Sequence, residues 1–375
     1  MRTIGANLVE VICLMRPVLA ALLALCLAAP AGAQTLEQMA GQMIIVGFQG
    51  DDASDKSVKA VAAEIAAGEL GGVMYLKPNV KSLKAAKAMN ELFRSASPGL
   101  PPFITLDQEG GAVERLTKAV GFEEIPNAAA VAAGNSPAEA EALYADMARK
   151  IADLGFSVNF GPVADLAVNP DNQVIAKYGR AYGKSAETVA AYDEAFVAAH
   201  HQAGLITSLK HFPGHGSSTA DSHDGFVDIS RSWSETELEP YRILFADGYA
   251  DMVMVGHLYH KDYAGAGGGK LPASLSPEWI EGVLRGQLGF KGVVVSDDLE
   301  MGAIRKIYDL HDTVVQAVNA GTDVLLFSNT AAPSGGLAAK VRGILVAEAE
   351  SNPAFRARIE ASYARIVALK ARIGG

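Results

Sequence analysis

Cysteine is almost missing from this chain of 375 residues: only Cys13 and Cys26 occur, both among the first 33 residues. That segment has the features of a secretory leader. Arg16 precedes an unbroken apolar run over residues 18–29, and Ala31-Gly32-Ala33 follows as a small-residue cleavage site. The run is shorter than the roughly 20 residues a bilayer-spanning helix needs, so a stable membrane anchor is not expected. Bulky Leu25 in front of Cys26 speaks against lipidation. The expectation is a leader over 1–33, export to the periplasm or medium, and a mature chain over 34–375 that starts near Gln34. That mature chain has no thiol, which excludes a disulfide frame, a thiolate metal site and a thiol nucleophile. A thiol-free chain also suits an oxidising compartment.

Positive charge is also in short supply. The chain has 32 Lys and Arg against 42 Asp and Glu, a net charge of −10. Without Arg2, Arg16 and Glu10 of the leader, 30 basic and 41 acidic residues remain. Nucleic acid and anionic membrane surfaces are therefore not expected partners. No G-x-G-x-x-G follows the first strand candidate, which argues against a dinucleotide site. No linker or second periodic domain interrupts the chain.

What the sequence does contain is alternation. Short Val- and Ile-rich runs at 43–46, 72–76, 103–106, 157–160, 206–209, 252–255, 293–295 and 324–327 are separated by Ala-rich helical patterns. Those patterns cover 57–67, 83–95, 137–154, 186–203, 235–248, 277–288 and 313–320, with closing helices over 334–373. Ser136-Pro137-Ala138-Glu139 is a capping box with Pro at the first turn, and Ser234 with Glu237 repeats the box. Gly68, Gly155, Gly204 and Gly321 suit left-handed helix ends. Eight such units with strands apolar on both faces predict an α/β fold, a single (β/α)8 barrel.

In such a barrel the active site lies beyond the carboxyl ends of the strands. Asp107, Lys210-His211, His257 and Asp297-Asp298 each follow a strand candidate directly, and Asp165 follows the fourth after Gly161-Pro162. One polar strand end means little, but five converging on one rim mark a site. The loops 169–183 and 264–270 are candidates for its edge. The densest cluster is Lys210-His211-Phe212-Pro213-Gly214-His215-Gly216, with Asp221-Ser222-His223 after it. Asp221 and His223 are two apart, so in an extended segment they share a face, and the carboxylate can orient an imidazole for acid/base work. A metal site on His211, His215, His223 and Asp221 is the rival. It fits poorly, because the spacing is not that of a helical metal motif and Lys210 would repel a cation.

The 210–216 loop with Asp221-Ser222-His223 resembles the signature loop of family-3 glycoside hydrolases, in their β-N-acetylglucosaminidase branch. The segment 289–299, with Val295-Ser296-Asp297-Asp298-Leu299, is similar to that family's nucleophile segment. Ile104-Thr105-Leu106-Asp107-Gln108-Glu109-Gly110-Gly111 with Arg115, and Gly179-Arg180-Ala181-Tyr182, resemble two sugar-binding segments. The likeness runs from about residue 38 to 329, with the four motifs in order. It implies a retaining exo-acting enzyme on a small carbohydrate substrate with terminal β-linked N-acetylglucosamine. Asp297 would be the nucleophile, His223 the acid/base and Asp221 its orienting partner. Asp107, Arg115, Arg180, Lys210 and His211 would bind the sugar. No cofactor and no metal are implied. Phosphate in place of water as acceptor, which would make a phosphorylase, is the alternative on the same site. Two residues depart from the pattern: Ala112, where many relatives carry a basic residue, and Glu300, where a small one is common.

Overall fold

Strands buried on both faces cannot alternate in hydropathy, and the eight apolar runs form such strands. The computed structural model describes residues 34–97, 99–265 and 270–373; the expected leader falls outside them, as does most of the 264–270 loop. From Glu37 onward the chain is one compact unit. Its strands are β1 (Ile44–Gly47), β2 (Gly72–Met74), β3 (Phe103–Leu106), β4 (Val158–Asn159), β5 (Ile206–Phe212), β6 (Val227–Asp228), β7 (Met252–Val255), β8 (Leu258–Tyr259), β9 (Val293–Ser296) and β10 (Leu325–Phe327).

Eight of these pair in parallel in the order β10-β1-β2-β3-β4-β5-β7-β9, and all but β6 and β8 coincide with a predicted run to within a few residues. The ring closes between β9 and β10 through one bridge, Val295 to Val324. Main-chain bonds from Ser296 N to Val324 O, from Val324 N and Asp323 N to Val294 O, and from Leu299 N to Leu326 O cross this seam, and side chains add to them. The buried Asp323 carboxylate accepts from Val294 N at 2.9 Å and Arg285 Nη2 at 2.6 Å, and from Ser362 Oγ and Arg365 Nη1 on its other oxygen. Ser296 Oγ accepts from Leu326 N at 3.0 Å. β6 and β8 form a separate parallel pair beyond the rim.

The helices lie between the strands. Ser136 and Glu139 form the reciprocal capping box, and Gly68, Gly155, Gly204 and Gly321 all have positive φ. The second predicted box is not formed. Residues Glu235–Leu238 make a 3₁₀ turn before the helix Glu239–Ala246, and Ser234 makes no side-chain cap. Glu237 is instead buried and accepts from Gly216 N at 3.0 Å and Ser217 N at 3.3 Å. The demand of a buried loop for acceptors outweighs that of an exposed helix end. The segment Glu278–Gln287 is wound as a π-helix. At the barrel's amino-terminal end, buried Lys370 donates to Gln42 Oε1 and Gly71 O, both at 2.7 Å, with its ammonium 4.5 Å from the Phe103 ring centre.

Candidate active site

β3 hands its alternation on to Asp107, Gln108 and Glu109, so Asp107 and Glu109 face the same way. Gln108 faces the other way and holds the following loop, accepting from Arg115 N and Leu116 N and donating to Leu116 O. β5 delivers Lys210 opposite the two carboxylates. Its ammonium lies 2.7 Å from Asp107 Oδ1 and 2.6 Å from Glu109 Oε1. Arg115 Nη2 takes the other Asp107 oxygen at 2.7 Å, and Arg180 grips Glu109 with two bonds of 2.8 Å. Burial alone would raise both acids. Lys210 and Arg115 bring Asp107 below the usual carboxylate range, and Arg180 and Lys210 do the same for Glu109.

Next to Lys210, His211 Nδ1 is 2.7 Å from Asp165 Oδ2, and Arg180 Nη2 is 3.3 Å from its Nε2. A guanidinium cannot accept, so this geometry puts the ring proton on Nδ1. Asp165 also accepts from His211 N and His215 N, which folds the 210–216 loop over the strand end. Gly216 is required there: a Cβ would lie 1.8 Å from Leu166 O. Asn172, in the 169–183 loop, donates to His215 O and Ser218 O and accepts from Val174 N. It thereby ties the segment that carries Arg180 to the same loop.

Asp297 follows β9. Its main-chain N donates to Val255 O, and its Oδ1 accepts from Asp298 N at 2.8 Å. Burial would raise its pKa, but His257, His211 and His223 with the Asp298 N–H bring it down to about 2. The Asp298 carboxylate serves the backbone instead, its Oδ1 accepting from Glu300 N and Ser328 N. His257 bridges Ser274 Oγ and Asp298 O at 2.8 and 2.9 Å.

His223 stands exposed at the mouth. Asp221 Oδ1 accepts from His223 N at 2.9 Å and lies 2.7 Å from its Nδ1. The segment is a turn rather than the extended stretch expected, closed by Asp224 N to Asp221 O at 3.1 Å. The pairing survives because one carboxylate serves both the backbone and the ring. The rival metal set is not assembled: among the described residues, His211, His215, His223 and Asp221 do not gather within ligand distance of one another.

Asp107, Arg115, Arg180, Lys210, His211, His223 and Asp297 line one pocket of about 380 Å³, with Met74, Met254, Met301 and Leu326 as apolar wall. Asp221 stands behind His223. Residues 35–369 match the glycosyl hydrolase family 3 N-terminal domain. The chain belongs to glycosyl hydrolase family 3. Within the family it is 35% identical over 266 residues to a beta-hexosaminidase of Stenotrophomonas maltophilia, covering 68% of this chain and 76% of that protein. Its fold is similar to the crystal structure of a beta-N-acetylhexosaminidase from Beutenbergia cavernae, with a TM-score of 0.81, 30% identity, and 90% and 99% of the two chains covered. It is also similar to a family 3 beta-N-acetylglucosaminidase from Paenibacillus, with a TM-score of 0.80, 35% identity, and 91% and 63% covered.

Sequence reasoning gave no role to Glu109, although its spacing of two from Asp107 was the available signal. It noted Asp165 and His257 only as polar strand ends. Nothing in the sequence revealed Glu237 as the support of the 214–217 turn.

Proposed function

We propose that this family 3 protein is a retaining exo-β-N-acetylglucosaminidase that hydrolyses terminal β-linked N-acetylglucosamine through a covalent glycosyl-enzyme. The names its relatives carry support the activity and the substrate, and also favour water over phosphate as the acceptor. The observation that carries the mechanism is that Asp297 and His223 face one pocket whose far wall is a cluster of paired cations and acids.

In this reading the ionised Asp297 attacks the anomeric carbon while His223 gives its proton to the departing glycosidic oxygen. Asp221 fixes Nδ1, so Nε2 is the nitrogen that exchanges the proton. His223 then takes a proton from water as that water displaces Asp297. The oxocarbenium-like transition state gains from the anion beneath it and the proton donor beside it. Neither step calls for a metal or cofactor. The sugar hydroxyls would be held by Asp107, Arg115, Arg180, Lys210 and His211. Lys210 has spent two of its three donors on Asp107 and Glu109, which leaves one for the ligand. Arg115 Nε is buried with no partner among the described residues, and a buried donor of this kind calls for an acceptor. Export follows from the leader expected over 1–33; N-terminal sequencing of the protein from its native host should find Gln34, and a retained leader would refute it.

The deciding assay incubates the protein with nitrophenyl β-glycosides of glucose, N-acetylglucosamine and N-acetylgalactosamine, with and without phosphate. The N-acetylglucosaminide should give the highest kcat/KM, without stimulation by phosphate. A preference for the glucoside would overturn the substrate, and phosphate dependence would overturn hydrolysis.

A further inference from the structure

The loop that carries His223 has few bonds of its own to the barrel. Its internal bonds, from Asp224 N and Gly225 N to Asp221 O, shape the turn without placing it. On one side His215 Nε2 reaches Ser222 Oγ at 3.2 Å; on the other the chain enters β6. Between these points three successive carbonyls are each taken by a donor from one short stretch after Asp297. Ala303 N donates to Ser222 O and Gly302 N to His223 O, both at 3.2 Å, and Lys306 Nζ donates to Asp224 O. The two amides belong to the first turn of the helix Gly302–Arg305, where N–H groups have no partner within the helix. The loop therefore supplies the acceptors that this turn lacks.

The approach is close enough to dictate the residue. A Cβ on Gly302 would lie 2.7 Å from His223 O and 2.9 Å from the Asp224 carbonyl carbon. Both neighbours are backbone, so no side chain can swing away to make room.

We propose that Gly302, with Ala303 N and Lys306, is a latch that positions the acid/base: the segment following the nucleophile holds the backbone of His223 and so sets the distance between the two reacting groups. Gly302 is a positioning residue, and the proposal rests on His223 being the acid/base. Its location on the nucleophile's own segment means that His223 is placed from Asp297, five residues upstream, rather than through the longer path from β5. A misplacement of about 1 Å in a reacting group can cost about 10²-fold in rate.

The test compares Gly302→Ala, Lys306→Met, His223→Ala and the double variant Gly302→Ala/His223→Ala. Each is assayed for kcat/KM on N,N′-diacetylchitobiose, whose leaving group needs a proton, and on dinitrophenyl β-N-acetylglucosaminide, whose leaving group does not. Gly302→Ala should lose about 10²-fold on the disaccharide and only a few-fold on the activated glycoside. It should add nothing to the loss in His223→Ala, and amide exchange over residues 222–225 should rise. Lys306→Met leaves the backbone approach intact and should show the same leaving-group bias more weakly. It carries the test alone if circular dichroism shows Gly302→Ala to be unfolded. Equal losses on both substrates, losses that multiply with those of His223→Ala, or unchanged kinetics would overturn the latch while the acid/base assignment stands. If His223→Ala itself shows no leaving-group bias, the acid/base assignment falls and the latch falls with it.

Discussion

Lys210 bridges Asp107 and Glu109, two buried carboxylates whose charges would otherwise repel each other. Replacing it by Ala should therefore do two separable kinds of damage. The charged hydrogen bond to the sugar proposed for Lys210 would be worth about 1.5–3 kcal/mol, roughly 10- to 150-fold in kcat/KM. Breaking a buried ion pair adds about 3–5 kcal/mol of lost stability, so denaturant melts should show a lower midpoint as well. Arg180→Ala should show a similar kinetic loss, and unchanged kinetics would remove either residue from the sugar site. Asp297 makes a prediction about pH. Its pKa of about 2 in the fold lies below the ~3.9 of a free aspartate. The stability it contributes is thus complete above about pH 4 and is lost as the pH falls through about 2. Any acid limb of kcat/KM at higher pH must then belong to another group. Covalent trapping of Asp297 by a fluorosugar with an activated leaving group should keep its rate down to about pH 3. A trapping rate that halves near pH 4 would contradict this. Asp297 was legible as a rim residue, with Asp298 and the other polar strand ends, because a carboxylate directly after a buried strand has only the rim to occupy; its part as nucleophile rested on the family resemblance. Glu109 could not, because its role depends on Lys210 arriving from a strand a hundred residues away.

Among the elements, Glu237 shows how a helix start can be diverted. Its carboxylate serves Gly216 N and Ser217 N, and burial pushes its pKa up to about 7. A folded value above the unfolded ~4.3 means that the native state binds more protons between those two values. Stability from this site is full at low pH and is lost as the pH rises towards 7. Glu237→Gln imitates the protonated form and should remove that decline, so thermal melts of the variant should be flatter than wild type between about pH 4 and 7. Parallel melting curves would show that Glu237 does not titrate there. The same example marks where the sequence stopped being legible. Eight strands were readable because burial on both faces leaves unbroken apolar runs, and the Gly helix ends because positive φ leaves few other choices. β6 and β8 were not, since two-residue ladders leave no periodic trace. The failed Ser234 box followed local pattern alone, while the acceptor was claimed by a loop distant in sequence. The π-winding of Glu278–Gln287 rests on i→i+5 rather than i→i+4 bonds, a change of pitch that so short an apolar pattern does not reveal.

For the molecule as a whole, the join between β9 and β10 differs from the others in pairing through a single bridge rather than a ladder. There the main-chain bonds between 294–299 and 323–326 are supplemented by the Asp323 carboxylate and the Ser296 hydroxyl, and Asp298 and Glu300 tie the rim above them through Ser328 and Thr330. β9 also carries Asp297. A join that leans on side chains as well as on backbone bonds opens locally at lower cost, so warming should loosen this one before the rest of the ring lets go. The enzyme should fall silent, reversibly, at temperatures where its far-ultraviolet ellipticity is still intact, and Asp323→Ala should widen that gap. An activity curve that overlays the unfolding curve in both proteins would show the ring to fail all at once. Asp297 thus rides on the side of the barrel where heat should act first.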